Sequence, residues 1–403
     1  MSFEYDPFGS EARANPYPAY RRMLDDETLR AYRNDARGFV AITRYDDAVE
    51  VLRDWSTFTS SRGVDIDESS YYFGEGVFLQ EDPPVHKLLR NVVHADFSPK
   101  AMRSLLEAPI RAEADGLLDR LSDADEPDFG SDLTWRLPTR AVGLLLGLPA
   151  DDVEWLIDVE LRYQRRIIGQ VAVPDDAIRA SEELHGYFST LIKNRRRQPS
   201  DGLLSRIANA TVGGQPIGDA AIGMSLIVFA AAVDTTACLL GNALNLLEAH
   251  PEQRRWLENN LDQIPAAVEE VLRFESPLQV TKRVAVADTA LAGVEIPADT
   301  DVYIFYGAAN RDARRFDDPD SFDIRRKAMR NLAFADGIHH CVGAPLARME
   351  ANIVLELVLK RMPNYSLVPG STRFESHMMR GPQLLPVDRG TISRRARQLE
   401  PTN

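Results

Sequence analysis

Two cysteines in 403 residues, Cys238 and Cys341, leave no room for a disulfide framework and point to a reducing compartment. Clustered positive charge is also missing. Lys and Arg number 47 against 61 Asp and Glu, a net charge of −14, so no phosphate-binding surface is expected. The opening MSFEYDPFGSEARANPYPAY holds no basic-then-apolar leader and no anchor. No CxxC or HxxxH pair supplies the spaced ligands of a structural zinc site. Repeats, low-complexity tracts and long linkers are lacking too. These absences predict a cytoplasmic globular protein that binds neither nucleic acid nor membrane. The length suits two or three average domains or one large enzyme.

One long apolar run is present, AAIGMSLIVFAAAVDTTACLLGNALNLLEAH over 220–250. Asp234, Thr235 and Thr236 sit at its centre, and a mid-bilayer Asp is costly. The run therefore predicts a helix buried inside a large α protein, capped by Asp219 and ended at HPEQ. About 28 helical residues would span roughly 42 Å. Helical periodicity dominates 100–275. The stretch 282–312 switches to alternation with β-branched residues and predicts a small antiparallel sheet. Further β-rich parts are expected at about 30–45 and 365–390. The fold class is mainly α with minor antiparallel β.

The densest chemistry lies in FADGIHHCVGAP, Phe334 to Pro345. Neighbouring side chains diverge, so His339, His340 and Cys341 do not suit one metal ion together. A single thiolate is the better reading. The loop feeds a helix N-terminus, whose free N–H groups and positive dipole end favour an anion. Gly337 and Gly343 allow close approach of a flat partner. The competing reading is a buried structural cysteine.

This loop resembles the haem-binding loop of the cytochromes P-450, F-G-x-G-x-H-x-C-x-G, through Phe334, Gly337, His339, Cys341 and Gly343. Ala335 departs, standing where the family has Gly. Three further motifs follow the family's order. AAVDTT, Ala231 to Thr236, is similar to A-G-x-D-T, with Ala232 in place of Gly. Dioxygen must receive two protons in a dry pocket, and an acid beside a hydroxyl can relay them. Asp234 and Thr235 are thereby the expected catalytic pair. AAVEEVLRF carries Glu270 and Arg273 on one helix face, matching the E-x-x-R pair. Arg326, with Arg325 next, fits their structural partner. The resemblance further implies that His86, Arg90, Arg283 and His339 hold the propionates of haem b, with Phe334 and Gly343 against the macrocycle. His340 falls at a variable position and is read as incidental.

What the resemblance implies is a single P-450 domain over 1–403, its long central helix lying over the haem, with Cys341 as axial ligand of the iron. The activity would be that of a haem-thiolate monooxygenase. It would take electrons from NAD(P)H through ferredoxin and ferredoxin reductase, docked near Lys327, Arg330 and Arg348. Dioxygen and a hydrophobic organic molecule would be its substrates, and the chain is expected to be a monomer. Tyr72, Phe73, Ile227, Ala230, Ala231, Val280, Thr281, Met378 and Met379 are the expected pocket. Arg380 is read as structural and Cys238 as core. Two other readings stand beside this one: a non-hydroxylating haem-thiolate enzyme, peroxide-driven or coupling, and a non-catalytic haem sensor.

Overall fold

Alanine and leucine fill the run at 220–249, and it folds as one 30-residue helix, α7 (Ala220–Ala249). The computed structural model describes residues 3–391 apart from 68, 70–72 and 328. Among them, α7 is the one helix long and apolar enough to cross a membrane, and 83% of its most apolar stretch is buried within the molecule. Asp219 precedes it but makes no side-chain cap, because its own backbone is already helical. At the other end His250 Nδ1 meets the Leu246 carbonyl at 2.8 Å, and Pro251 opens the next helix.

The helices that matter for the site are α1 (Tyr45–Arg53), α2 (Val85–His94), α3 (Pro99–Asp123), α4 (Arg136–Leu146), α5 (Val153–Gln164), α6 (Asp175–Arg197), α8 (Ile264–Phe274) and α9 (Ala344–Arg361). Helices α4, α6, α8 and α9 pack directly on α7, so α7 runs through the middle of the helical body. Phe229 of α7 is fully buried, as are Trp135, Phe129 and Phe188 in the surrounding body.

The main sheet has the order β1-β2-β7-β4-β3, built from β1 (Tyr32–Asn34), β2 (Phe39–Ile42), β3 (Phe58–Thr59), β4 (Val280–Ala285) and β7 (Asp301–Phe305). Strand β4 lies antiparallel to β7, with Val280 opposite Phe305 and Arg283 opposite Val302. Strand β2 runs parallel to β7, so the sheet is mixed where alternation alone suggested antiparallel. A period of two identifies a strand but not the direction of a distant partner. The hairpin of β5 (Thr289–Leu291) and β6 (Val294–Ile296) turns on Ala292 and Gly293, both with positive φ. The expected strand does not continue to 312, because Tyr306–Ala309 form a helical turn instead. In the C-terminal part the described residues form the short pair β8 (Thr372–Arg373) and β9 (Pro382–Leu384), with isolated bridges such as Leu367 to Val387.

Candidate functional site

The cysteine loop is held by its own chemistry. Asp336 accepts the Gly337 N–H at 2.6 Å and pairs with Arg53 and Arg330 at 3.2 and 3.0 Å. Gly337 has φ +69, and a Cβ there would collide with the Leu52 carbonyl of α1. Glycine is therefore required on both conformational and steric grounds. The Cys341 N–H donates to the Phe334 carbonyl at 3.0 Å, which closes the loop. Ala335 sits inside it at φ +56, a left-handed conformation that a methyl group disfavours. Burial pushes the Cys341 thiol above its ordinary value. The N–H groups of Gly343 and Ala344 and the charges of Arg90 and Arg348 act against that rise. All four favour a thiolate.

A cavity of about 230 Å³ opens between this loop and α7. Cys341, Phe334 and Gly343 line one wall, and Ile227, Ala231 and Thr235 line the opposite one. Arg90, Arg283 and His339 also border it. The Arg348 guanidinium stacks over the Phe334 ring, 4.4 Å from its centroid. Arg283 is buried, with Nη1 on the Lys282 carbonyl at 2.7 Å. Arg90 Nη2 donates to the His340 carbonyl at 2.5 Å. His86 stands behind His339, the ring centroids 4.4 Å apart. Neither ring nitrogen of His339, nor Nε2 of His86, has a hydrogen-bond partner among the described residues. Burial, then Arg283, His86 and Arg90, hold the His339 pKa down at about 2, so its ring is neutral.

Buried polar atoms without partners are rare in folded proteins, and several in one place mark a group to be bound there. Two guanidinium groups and two imidazoles converge where two carboxylates would satisfy them. The thiol and its N–H donors face the same apolar space. This donor set fits an iron porphyrin with its propionates. It does not fit a bare ion, since among the described residues no three His, Cys, Asp or Glu side chains cluster to hold one. The His340 side chain does not line the cavity; its carbonyl, which takes Arg90, is the part engaged.

Asp234 and Thr235 are adjacent but point differently. Thr235 borders the cavity, its hydroxyl donating to the Ala231 carbonyl at 2.7 Å. The Asp234 carboxyl is 1% exposed and turns toward α5. There it accepts the Gln164 side-chain N–H at 2.7 Å, and its other oxygen accepts the Thr235 N–H at 2.6 Å. Burial raises its pKa above the carboxylate range.

Behind the loop, Glu270 and Arg273 form a bidentate pair at 2.7 and 2.8 Å, both side chains almost fully buried. Arg326 Nε reaches the same carboxylate at 3.2 Å, whereas Arg325 pairs with Asp323 near the surface. Arg273 also donates to the carbonyls of Asn310, Pro319 and Ser321. The Asn310 side chain accepts the Leu332 N–H at 2.7 Å, two residues before Phe334.

Of the expected pocket residues, Ile227, Ala231 and Thr281 border the cavity. Phe73, Ala230, Val280, Met378 and Met379 do not. Phe73 packs on Tyr163 of α5 at 4.9 Å, and Ala230 is buried inside the helical body. Val280 and Met379 border a separate small cavity near Tyr5. The methionine segment acts as a buttress instead: Met378 accepts the Gln279 N–H at 2.8 Å. Tyr72 lies outside the described residues. Arg380 pairs with Glu275 at 2.5 Å, and Cys238 is fully buried. Sequence reasoning passed over Tyr306, whose hydroxyl bonds that of Thr281 at 2.7 Å at the cavity edge. It also passed over Glu160 and Gln164. Glu160 was detectable as an acid on the apolar stripe Leu156, Val159 and Tyr163.

Comparison with known proteins agrees with this geometry. A family model described as cytochrome P-450 matches residues 259–373. The cytochrome P-450 monooxygenase PikC of Streptomyces venezuelae is 33% identical, covering 94% of this chain and 92% of its own. The vitamin D(3) 25-hydroxylase of Pseudonocardia autotrophica is 31% identical over 97% and 98%. The crystal structure of CYP109E1 from Bacillus megaterium in complex with testosterone superposes with a TM-score of 0.85 at 29% identity, covering 94% and 98%.

Proposed function

Since the chain belongs to the cytochrome P-450 family and is a haem-dependent monooxygenase, we propose that it hydroxylates a hydrophobic organic molecule, with electrons from a ferredoxin and its reductase. The observation that carries this reading is the Cys341 sulfur. It receives the N–H groups of Gly343 and Ala344 and faces an apolar cavity whose far wall holds Thr235. Cys341 would hold the iron of the haem through its sulfur. Arg90, Arg283, His339 and His86 are assigned to the propionates of haem b, and Phe334 and Gly343 to its face. When bound, haem supplies the chemistry that joins one atom of dioxygen to the substrate while the other leaves as water.

This chain's residues set the conditions for that chemistry. Ile227, Ala231 and Ala232 keep the wall facing Cys341 small and apolar, which leaves room for substrate and excludes water. Asp234 holds a proton behind that wall, and the Thr235 hydroxyl passes it into the cavity. To do so Thr235 must leave the Ala231 carbonyl. Glu270, Arg273 and Arg326 fix the loop. The electron donor docks on the cysteine side by Lys327, Arg330 and Arg348, an arrangement suited to a cytoplasmic enzyme with an acidic partner.

Two measurements test this function. Hydrophobic ligands, sterols and macrolides among them, should shift the haem spin state on binding. Reconstitution with NADH, ferredoxin and reductase should convert the best ligand to a product one oxygen heavier. Ligand binding with no oxygenated product would contradict the monooxygenase reading. Lys327→Glu should slow reduction by ferredoxin, and an unchanged rate would remove the docking face.

A further inference from the structure

Glu160 lies one helical turn before Gln164 on α5, buried and 0% exposed. One amide nitrogen serves two acids: Gln164 Nε2 donates to Asp234 at 2.7 Å and to Glu160 Oε1 at 3.3 Å. Glu160 Oε2 has no partner among the described residues. The nearest cation, Arg166, is already bound to Asp67. The other groups facing the pair are Asp65 and Asp67 from the loop after β3, Tyr163 of α5 and Cys238 of α7. The surroundings thus add negative charge rather than remove it. Two carboxylates sharing one donor in a dry interior do not both ionise. The pair therefore keeps a proton at neutral pH. Burial, reinforced for Glu160 by Asp234, raises the pKa of both above the carboxylate range.

We propose that Glu160 and Gln164 are positioning residues for proton delivery, which keep Asp234 loaded with a proton by pairing it with a second buried acid. This rests on the reading of Asp234 as the acid that feeds Thr235. Gln164 fixes the orientation of the Asp234 carboxyl, and Glu160 holds the pair's remaining proton in reserve beside it at pH values where a lone aspartate would ionise.

The test is the pH profile of kcat, and of product formed per NADH consumed, in the haem-loaded enzyme. Glu160→Gln removes the second acid without changing size, and the alkaline limb should move down by about one pH unit or more. Gln164→Met removes the shared donor from both carboxylates, and the limb should move up. The opposite signs separate proton holding from a general loss of structure, and Gln164→Met carries the test should Glu160→Gln fail to load haem. KM should hold in both. The wild-type minus Glu160→Gln infrared difference spectrum at neutral pH should show the band of a buried protonated carboxyl, with no turnover required; Glu350, also buried and protonated, contributes equally to both proteins and cancels. Asp234→Asn serves as reference. If Asp234→Asn is impaired while the limb stays fixed in the other two variants, Glu160 and Gln164 have no part in proton delivery. If Asp234→Asn turns over like wild type, the reading of Asp234 falls and this proposal with it.

Discussion

Replacing Glu270 by glutamine should cost this protein much of its stability, although the two side chains have the same shape. The carboxylate accepts Arg273 Nε and Nη2 at 2.7 and 2.8 Å, Arg326 Nε at 3.2 Å and the Asp323 N–H at 3.0 Å. Glutamine turns one of its two acceptors into a donor that faces a guanidinium. It also leaves Arg273, 2% exposed in its side chain, without a counter-charge. Breaking a buried pair in this way costs about 3–5 kcal/mol, against a total of about 5–15 kcal/mol for a typical protein. Guanidinium unfolding of the haem-loaded enzyme, followed by tryptophan fluorescence, reads the loss directly. Soret absorbance followed in parallel reads release of the cofactor, which should come early because Asn310 ties Arg273 to the cysteine loop. Glu270→Leu with Arg273→Leu should cost less than the sum of the single changes, the mark of a coupled pair. A loss under about 1 kcal/mol for Glu270→Gln, as for an exposed ion pair, would refute the reasoning.

Ala335→Gly should raise the melting temperature, with a gain of up to about 1 kcal/mol, because it removes a methyl group from a left-handed residue; an unchanged or lower melting point would show that the loop bears no strain there. Asp67→Asn should destabilise by about 3–5 kcal/mol at neutral pH, because Arg166 is left buried and unpaired. Burial alone would raise the Asp67 pKa, but Arg166 and Ser69 hold it below the ordinary value. An acid with a depressed folded pKa contributes its stability above its unfolded pKa of about 3.9, and loses it as pH falls through the folded value. The gap between wild type and Asp67→Asn should therefore be full at pH 5 to 7 and shrink at more acid pH, as melts across that range would measure.

The parts of the site that could be read from sequence were those encoded within one short segment. Phe334 to Gly343 carries its ligand, its glycines and the start of α9 in a single stretch, so side-chain type and spacing sufficed. The central helix was equally plain, because an apolar run broken by Asp234 and two threonines suits a protein interior and not a bilayer. What escaped was pairing across the fold. Gln164 is 70 residues from Asp234, and only the packing of α5 on α7 brings the two together. The partner of β2 could not be told from its own residues, since Phe39 to Ile42 are all apolar and all buried. Phe73 and Met378, expected in the pocket, do not border the cavity for a related reason. An apolar side chain on a segment near a cavity can face the core instead, and a lone segment does not reveal which face the next layer covers.

The central claim is that one sulfur, and neither neighbouring histidine, holds the iron. The ferrous–CO spectrum of the purified, haem-reconstituted enzyme tests it most directly. In Cys341→Ala the red-shifted Soret band of a thiolate-bound haem should vanish. In His340→Ala it should remain at the wild-type position, because that side chain does not line the cavity. Persistence of the band without Cys341, or its loss without His340, would contradict the account.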